Sequence, residues 1–356
     1  MDAPLLRCEG VRRAAAGLRG IDLDLVRGEV LAVLAPGGAG KTALLRLVAG
    51  LDRPDAGRLL LAGRDLAPLS PPRRGLSLLD PLLPERRSVQ EVAGAMLPAY
   101  DVPARDRPAR IARALTALGL DGQEGKPVAQ LGPAARCRLA FARALAPEQP
   151  VLLLDDPLVG LDPAPRRALG FELRRLFRRL DLSVLLATRE GEEAMALADR
   201  VAVIEDGEIA QCAPPRLLYE EPATAFVAGL LGENNRLPGT VEWREETECA
   251  VRLDCGPVVE ARVADAGGPG SRCIVAVRPE RVAVAALPAE EMGEGALPAA
   301  LRDTVFLGDH VRLLLELGEG GMLVSRRPPG SRNPVPGGPA SVAWDPYAAF
   351  AYRALR

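Results

Sequence analysis

The sequence predicts an α/β fold, in which helices cover a largely parallel sheet, with a separate all-β domain at the C-terminal end. Three observations lead to this prediction. An apolar run at residues 30–34 leads through a glycine-rich turn directly into a helical pattern. Helix-like and strand-like segments then alternate between residues 136 and 204, as they do in parallel sheets with helical crossovers. After about residue 235, short alternating runs between Gly and Pro turns indicate a small β-domain or barrel.

We therefore expect two domains, residues 1–235 and residues 236–356, with a small helical insertion at about residues 84–130 of the first. A chain of 356 residues is long enough for about two or three domains. Because 48% of the residues are hydrophobic, the chain can bury a sizeable core.

Composition argues against several classes of protein. The net charge is −2 and no basic block occurs, so we expect no nucleic-acid partner. The N-terminal residues lack the apolar core of a signal peptide, and no run of about 18 apolar residues would span a bilayer. Six cysteines without C-x-x-C spacing suit a reducing cytosol. Since His310 is the single histidine, a His-based metal site or triad is not expected, and we interpret His310 as a solvated side chain.

The individual elements follow from local patterns. Strand-like alternation covers residues 5–34, and proline breaks divide the insertion into helical stretches at 89–97 and 109–118. In the rest of the first domain we expect strands at 58–61, 151–155, 184–187 and 201–204, and helices at 136–145, 164–179 and 192–199. In the second domain we expect strands at 249–253, 258–263, 274–277 and 311–317, and a loop at 328–339.

The glycine-rich turn is a candidate phosphate-binding loop, because a strand precedes it and a helix follows it. Its glycines let the backbone wrap closely around an anion, and the helix N-terminus adds partial positive charge. Lys41 would reach the β- and γ-phosphates, and the Thr42 hydroxyl would ligate Mg²⁺. One letter departs from the motif, since Ala35 replaces its first glycine. The candidate nucleotide-binding residues are Ala35, Pro36, Gly37, Gly38, Ala39, Gly40, Lys41, Thr42 and Ala43.

A second candidate feature is the pair of carboxylates that ends the apolar run 151–154. A buried parallel strand delivers its terminal side chains to the crevice where ligands bind. Asp155 would there hold the water shell of Mg²⁺, and Asp156 would polarise an attacking water. Together with the phosphate loop, this pair predicts a P-loop NTPase sheet that binds ATP with Mg²⁺.

Several motifs resemble the ATP-binding subunit of ABC transporters. The phosphate loop is followed by Arg-Leu-Ala-Phe-Ala-Arg-Ala-Leu-Ala at residues 138–146 and by Leu-Leu-Leu-Asp-Asp-Pro at 152–157. Residues 198–211 and 219–228 also resemble segments of this family. The segments 231–241, 277–282 and 307–312 are similar to the oligonucleotide-barrel-like (OB-like) regulatory domain of importer ATPases, and most like the spermidine/putrescine type.

The resemblance implies roles for particular residues. Asp156 stands where the family has its catalytic glutamate, and Arg189 stands where it has its switch histidine. Asp80 replaces the glutamine that senses Mg²⁺ and water, so Thr42, Asp155 and Asp80 are the implied metal ligands. Asp162 matches the D-loop aspartate of the family.

The signature motif departs most from the family. In place of Leu-Ser-Gly-Gly-Gln, which binds the γ-phosphate held by the opposite subunit, this chain has Leu131, Gly132, Pro133, Ala134 and Ala135. Gly132 has no hydroxyl and Pro133 has no N–H to donate. The aromatic residue that usually stacks on adenine is also missing, since no Phe, Tyr or Trp precedes Tyr100. We therefore predict nucleotide binding with impaired hydrolysis.

Two hypotheses remain open at this stage. The resemblance favours the ATP-binding subunit of an importer, which would couple ATP binding and hydrolysis to solute uptake through membrane permease subunits, with polyamines as the expected substrate class. The alternative is a degenerate, non-hydrolysing subunit with a structural or regulatory role. Either would form a homodimer or heterodimer of ATP-binding subunits on membrane permease subunits, at the cytoplasmic inner face of the cell membrane. A P-loop kinase or GTPase is disfavoured, because the likeness extends along the whole chain.

Overall fold

The structure is a computed structural model that describes residues 3–293 and 295–354. Residues 1, 2, 294, 355 and 356 of the expected domains lie outside the described residues. The chain divides between Arg216 and Leu217 into two compact units.

The first unit consists of helices and strands in alternation after an N-terminal pair of strands. Its strands are β1 (Leu6–Arg13), β2 (Leu18–Leu25), β3 (Val30–Leu34), β4 (Ala56–Leu61), β5 (Arg64–Asp65), β6 (Leu76–Leu78), β7 (Val151–Asp155), β8 (Ser183–Thr188), β9 (Arg200–Glu205) and β10 (Glu208–Ala213). Its helices are α1 (Lys41–Ala49), α2 (Val89–Gly94), α3 (Arg107–Ala117), α4 (Pro133–Leu145), α5 (Pro163–Arg179) and α6 (Gly191–Leu197).

Two sheets organise this unit. The larger has the order β10-β9-β3-β8-β7-β6, and its pairs are parallel except for that between β9 and β10. All five residues of β3 are buried, as expected for a parallel strand that is covered on both faces. The smaller sheet has the order β2-β1-β4-β5 and is antiparallel. The α/β class that the sequence predicts is confirmed.

The order of the central strands places the ends of β3, β8 and β7 side by side. Leu34 lies opposite Thr188, and Asp155 lies opposite Ala187. Because these strands are parallel, the segments that leave their C-terminal ends emerge at one edge of the sheet. Helix α1 packs Leu44, Leu45, Leu47 and Val48 into the core of the unit, which anchors the start of α1 at that edge.

The expected helical insertion contains two short helices. Helix α2 begins with a capping box, in which the Ser88 side chain accepts from the Glu91 N–H and the Glu91 side chain accepts from the Ser88 N–H. It ends at Gly94, earlier than the stretch 89–97 suggests, and turns lead to α3. Pro108 lies in the first turn of α3, where a missing N–H costs nothing.

The second unit is mostly β-structure. Its elements are α8 (Ala225–Leu231), β11 (Asn235–Arg244), β12 (Glu248–Leu253), β13 (Val258–Val263), β14 (Arg272–Val277), β15 (Ala283–Ala285), α9 (Ala289–Met292), β16 (Leu297–Phe306), β17 (Val311–Leu317), β18 (Gly321–Arg327), β19 (Ala340–Ala343) and β20 (Ala349–Arg353), while α7 (Pro215–Glu220) spans the division between the units. Strands β11-β12-β13-β20-β14 close into a barrel, and β15-β19-β16-β17-β18 form a further sheet. The C-terminal β-domain is thus confirmed.

The second unit begins earlier in the chain than residue 236. Ala225 and Ala228 of α8 form a small buried cluster with Ala276 and Tyr352 of the barrel, and the Tyr352 hydroxyl donates to the Pro222 carbonyl at 2.9 Å. The second unit accordingly begins at Leu217, and Ala225 and Ala228 of α8 are buried against the barrel. Among the described residues, no helix has both the length and the apolar character needed to cross a bilayer.

Candidate nucleotide-binding site

The glycine-rich turn joins β3 to α1 at the edge of the sheet where the parallel strands end. Gly38 and Gly40 have φ of +81° and +85°, a left-handed conformation that L side chains rarely adopt. A Cβ on Gly40 would also lie 2.6 Å from Leu18 Cδ2 and 2.8 Å from the Ala16 carbonyl oxygen. The loop is therefore wrapped tightly, with the N-terminus of the nine-residue helix α1 behind it. Such a turn presents backbone N–H groups to an anion.

Lys41 folds back over this loop. Its Nζ donates to the carbonyl oxygens of Ala35 and Pro36, each at 2.8 Å, and the residue is buried. Burial lowers the pKa of Lys41, while the negative charges of Asp156 and Asp155 raise it. The ammonium group thus donates to two uncharged carbonyl oxygens of the loop. A phosphate oxygen would be a stronger acceptor, because it carries negative charge.

Thr42 and Asp155 meet across the edge of the sheet. The Thr42 hydroxyl donates to Asp155 Oδ1 at 3.1 Å, which joins the start of α1 to the end of β7. Burial raises the pKa of Asp155, and the Thr42 hydrogen bond lowers it. Within residues 3–293 and 295–354, no three His, Cys, Asp or Glu side chains are grouped as metal ligands. A metal ion at Thr42 and Asp155 would need further oxygen ligands, which phosphate groups and water can provide.

Asp156 and Arg189 are neighbours because β7 and β8 are paired. The Asp156 N–H donates to the Ala187 carbonyl at 2.8 Å, and Asp156 Oδ1 accepts from the Arg189 N–H at 3.2 Å. The Arg189 side chain is 56% exposed, forms a 3.6 Å ion pair with Glu190, and its charge contributes to the lowered pKa of Lys41. Two of the three predicted catalytic residues thus lie together beside the phosphate loop.

Asp80 follows β6 and is bonded to the turn after it and to α4. Its Oδ1 accepts from the Leu82 N–H at 2.9 Å, and its carboxylate forms a 3.5 Å ion pair with Arg143 of α4. The nearly buried Arg143 guanidinium also donates to the carbonyl oxygens of Leu82 and Asp80. In the described part of the chain, no hydrogen bond or ion pair joins Asp80 to Thr42 or Asp155. Asp80, the third predicted metal ligand, thus lies at the same sheet edge as Asp155, since Leu78 pairs with Leu153 in the parallel strands β6 and β7.

The signature segment lies at the start of α4. Gly132 is the N-cap residue of this helix and makes no side-chain capping bond, and Pro133 occupies the first turn. Leu131 is buried, whereas Gly132 and Pro133 are exposed. Asp162 has the matching position at α5, where it is an exposed N-cap residue without a side-chain capping bond. The two helix starts thus present few side-chain donors.

The stretch expected to carry the adenine-stacking residue borders the loop. Ala14–Ala16 form a short 3₁₀ turn between β1 and β2, and the Ala16 carbonyl is the group that a Cβ on Gly40 would contact. Ala14 and Ala15 are exposed. The position next to the phosphate loop is therefore occupied by methyl groups, which provide no ring for a base to stack on.

Glu193 is a residue that the sequence analysis missed. It lies on the buried side of α6, and its Oε1 has no hydrogen-bond partner among the described residues. Burial raises its pKa to about 7, and the negative charge of Asp156 adds to this effect. The signal for it was weak, because Glu193 ends an acidic run that looks solvent-exposed. The sequence offered one sign that Glu193 is buried, namely its position directly before the apolar Ala194.

Comparison with known proteins gives matches along most of the chain. Residues 18–159 match the ABC transporter family, and residues 275–351 match the TOBE domain family. The spermidine/putrescine import ATP-binding protein PotA of Rubrobacter xylanophilus is 34% identical over 332 residues, which are 91% of this chain and 86% of that protein. The Fe(3+) ions import ATP-binding protein FbpC of Rhizobium etli is 34% identical over 307 residues, which are 85% of this chain and 84% of that protein.

One solved structure has a similar fold. It is cbiO1 from Clostridium perfringens, described as part of the ABC transporter complex cbiONQ. The TM-score is 0.56 at 25% sequence identity, and the match covers 62% of this chain and 92% of the solved one.

Proposed function

Because this chain belongs to the ABC transporter family, as the ATP-binding subunit of an importer, we propose that it drives uptake of a polyamine such as spermidine or putrescine. Relatives named for spermidine and putrescine import support this substrate class. Fe(3+) is the second candidate, since a relative named for its import matches this chain with equal identity.

The observation that carries nucleotide binding is the meeting of Lys41, Thr42 and Asp155 at the ends of β3 and β7. We propose that the loop N–H groups and Lys41 hold the β- and γ-phosphates of ATP. Among the described residues, Lys41 Nζ donates to two carbonyl oxygens, and a hydrogen bond between charged groups is stronger than one to a carbonyl. Ala14 and Ala15 offer no stacking surface, so we expect modest affinity for the adenine base.

Thr42 and Asp155 fit a Mg²⁺ ion, which prefers hydroxyl and carboxylate oxygens. Thr42 Oγ1 and Asp155 Oδ1 are 3.1 Å apart, and Thr42 lies in the first turn of the helix that follows the phosphate loop. Mg²⁺ bound there would neutralise charge on the phosphates. We retain Asp80 as a proposed third ligand, which would act through water after release from its ion pair with Arg143.

We propose that Asp156 orients the attacking water and accepts its proton. Its backbone is fixed by Ala187 and its carboxylate by the Arg189 N–H, so its direction is set by β8. Arg189 would place a permanent positive charge near the γ-phosphate, although arginine cannot accept a proton as histidine can. The comparisons give no support for the alternative of a non-hydrolysing subunit.

We propose a dimer of ATP-binding subunits, of two identical or two different chains, in which residues 131–135 and Asp162 of one chain face the nucleotide of the other. Such a dimer would sit on membrane permease subunits at the cytoplasmic face. The importer names of the relatives and the complex to which cbiO1 belongs support a permease partner.

Nucleotide binding is tested by titrating a fluorescent ATP analogue with Mg²⁺ into the full chain and into Lys41→Ala. The only other lysine of the chain, the exposed Lys126, provides a matched control as Lys126→Ala. We expect Lys41→Ala to weaken binding at least about tenfold, since a hydrogen bond to a charged group contributes about 1.5–3 kcal/mol. Equal affinities for wild type and Lys41→Ala would contradict the proposed site.

The substrate is tested by uptake into cells that lack the chain and are complemented with wild type or Lys41→Ala. We expect wild type, and not Lys41→Ala, to restore uptake of labelled spermidine. If wild type restores uptake of Fe(3+) and leaves spermidine uptake unchanged, the polyamine proposal is wrong and the second candidate takes its place.

A further inference from the structure

A pocket of about 250 Å³ lies in the second unit, between residues 219–234 and the barrel. Its lining includes Tyr219 and Asn234 from this segment, Phe350 and Tyr352 from β20, and Arg278, which follows β14. A cavity of about 150 Å³ accepts a benzene ring, so this pocket has room for one ring with a polar substituent.

Arg278 brings an incompletely bonded charge to this pocket. Its side chain is 6% exposed, its Cζ lies 4.1 Å from the centre of the Tyr219 ring, and its Nη1 donates to the Glu233 carbonyl at 3.2 Å. Its Nη2 is buried and has no acceptor among the described residues. A buried guanidinium normally satisfies its donors, so a missing acceptor points to a ligand.

Asn234 adds a second donor of the same kind. Its Nδ2 is buried and has no partner in the described part of the chain. In the next residue, Asn235, both polar atoms of the side chain have a partner: its Nδ2 donates to the Val324 carbonyl at 2.8 Å, and its Oδ1 accepts from the Val324 N–H at 2.6 Å. The unpaired amide is therefore specific to the residue that lines the pocket.

The acidic residues around the pocket do not serve these donors. Glu221 is exposed and forms a 3.4 Å ion pair with Arg262, and Asp345 is exposed and accepts from the Tyr347 N–H at 2.9 Å. These two carboxylates thus have partners in the protein, whereas Asn234 Nδ2 and Arg278 Nη2 have none among the described residues. What the interior of the pocket lacks is an acceptor that carries negative charge.

We propose that this pocket binds a small carboxylate, whose oxygens accept from Arg278 Nη2 and Asn234 Nδ2. A carboxylate matches the planar geometry of a guanidinium. Its apolar part would lie against Phe350 and Tyr352, whose rings are stacked with centres 6.2 Å apart. Because both nitrogens are screened from solvent, binding includes a small shift of these side chains. The bound ligand fastens residues 219–234 to the barrel.

Isothermal titration of the full chain without nucleotide tests the proposal with four probes in two pairs. Benzoate and propionate carry the carboxylate, and benzamide and propionamide have the same shapes without the charge. We expect one carboxylate at least to bind saturably with one site per chain and to raise the melting temperature. Its amide should bind at least about tenfold more weakly, since the charge-assisted hydrogen bonds are lost.

Variants locate the site. Asn234→Asp is nearly isosteric and puts a repelling carboxylate in place of the donor, so we expect at least about tenfold weaker binding. Asn333→Asp makes the same change in the loop 328–339 and should bind as wild type. Arg278→Gln should also lose binding, and Asn234→Asp decides the matter if Arg278→Gln does not fold.

Three results would overturn the proposal. The first is that neither carboxylate binds wild type. The second is that Asn234→Asp, shown to be folded by its melting curve, binds the carboxylate as tightly as wild type does. The third is that inorganic phosphate binds more tightly than either carboxylate and loses affinity in Asn234→Asp, which would assign a different ligand class to the pocket.

Discussion

Asp156 combines an unusual backbone conformation with a position beside the phosphate loop. Its φ of +40° lies in the left-handed region, which Asp and Asn tolerate better than other non-glycine residues. Its N–H and its carboxylate are both bonded to β8 or the residue that follows it. Hydrogen bonds at its N–H and at its carboxylate thus hold Asp156 in this conformation.

Replacing Asp156 with Asn should lower steady-state ATP hydrolysis at least about tenfold and leave the affinity for ATP unchanged within a factor of about three. The amide keeps the shape and tolerates the backbone, but it cannot accept a proton, and positioned acid–base groups contribute about 10²–10⁴-fold. Asp101→Asn is the matched control, because Asp101 is exposed and also has a positive φ, of +55°. If both variants hydrolyse ATP as wild type does, Asp156 has no part in the chemistry.

Glu193 makes stability depend on pH. The folded protein holds its proton up to a pH of about 7, whereas the unfolded chain releases it near the ordinary value of 4.5. The unfolding free energy therefore falls as pH rises from about 4.5 to about 7 and stays low above that. The difference corresponds to about 3 kcal/mol. Glu193→Gln should match wild type at pH 5 and exceed its melting temperature at pH 8.

Melting curves between pH 5 and pH 8 check this expectation, with the adjacent exposed Glu192 changed to Gln as the control. Glu192→Gln should follow the wild-type curve throughout. A wild-type melting temperature that rises with pH over this range, together with no effect of Glu193→Gln, would show that Glu193 is ionised without penalty.

The site residues differ in how far the sequence predicts them. Lys41, Thr42 and Asp155 follow from a motif and a strand end, because a parallel sheet brings such positions together. The pairing of Asp80 with Arg143 does not follow from such a pattern, since Arg143 lies 63 residues away on a helix whose orientation local patterns do not specify. Glu193 was missed because burial is decided by the packing of α6 and not by the residue type.

At the scale of elements, Gly40 in the turn between β3 and α1 has to be glycine for two reasons, its backbone conformation and the lack of space for a Cβ. Gly40 needs a positive φ, and the space for its Cβ is occupied by Leu18 and the Ala16 carbonyl. Gly37 has no positive φ, and a Cβ there would meet no atom within 4 Å. The loop therefore depends on Gly40 for its shape and not on every glycine that it contains.

Gly40→Ala should abolish binding of the ATP analogue and lower the melting temperature, since left-handed strain and overpacking each cost about 1–3 kcal/mol. Gly37→Ala should keep the wild-type melting temperature. Differential scanning fluorimetry and the nucleotide titration check both variants. Equal stability of Gly40→Ala and Gly37→Ala would mean that the turn relaxes easily and is not set by packing against β2.

The sequence predicts well the elements whose apolar residues form a continuous run or a regular alternation. Strands β7, β12, β13 and β17 coincide with apolar or alternating runs, because one or both of their faces are buried. Strand β16 was missed, since it is exposed along most of its length and shows no alternation to detect. Its pairing with β17 and β19 comes from the sheet as a whole.

At the scale of the molecule, the position of the division between the two units determines which fragments of the chain should fold independently. The sequence places it at 235 because the helical texture ends there, and contacts in the structure place it after Arg216. Residues 217–235 contain α8, whose Ala225 and Ala228 are buried against the barrel. Composition alone does not show which unit a short helix packs on.

A fragment of residues 1–214 should fold and bind the ATP analogue as the full chain does. A fragment of residues 1–235 should also bind it, but trypsin should remove residues beyond about 216, because their barrel partners are missing. Limited proteolysis and the nucleotide titration check both fragments. If 1–235 is resistant and 1–214 does not fold, the division lies at 235, and if neither folds, the two units are not separable.

In the proposed homodimer, each ATP would lie between the phosphate loop of one subunit and residues 131–135 of the other. Both nucleotide sites would then contain the same four residues that differ from the motifs of the family. Gly132 offers no hydroxyl at the start of α4, Pro133 offers no N–H, and Asp156 and Arg189 replace the glutamate and histidine of the family. Phosphoryl transfer depends mainly on positioning and on electrostatic stabilisation, so each departure affects the main source of catalysis.

The isolated homodimer should therefore hydrolyse ATP at least about a hundredfold more slowly than related subunits with intact motifs, since one lost donor costs about 2.7–4 kcal/mol. The rate of hydrolysis should rise when Ser-Gly-Gly-Gln at residues 132–135, Glu at 156 and His at 189 are restored together. Each single change should raise it little, because the effects of groups that act as a unit are not additive. Phosphate release from purified protein measures this. Wild-type turnover at ordinary transporter rates would contradict the prediction, and Asp156 and Arg189 would then perform the work of the residues they replace.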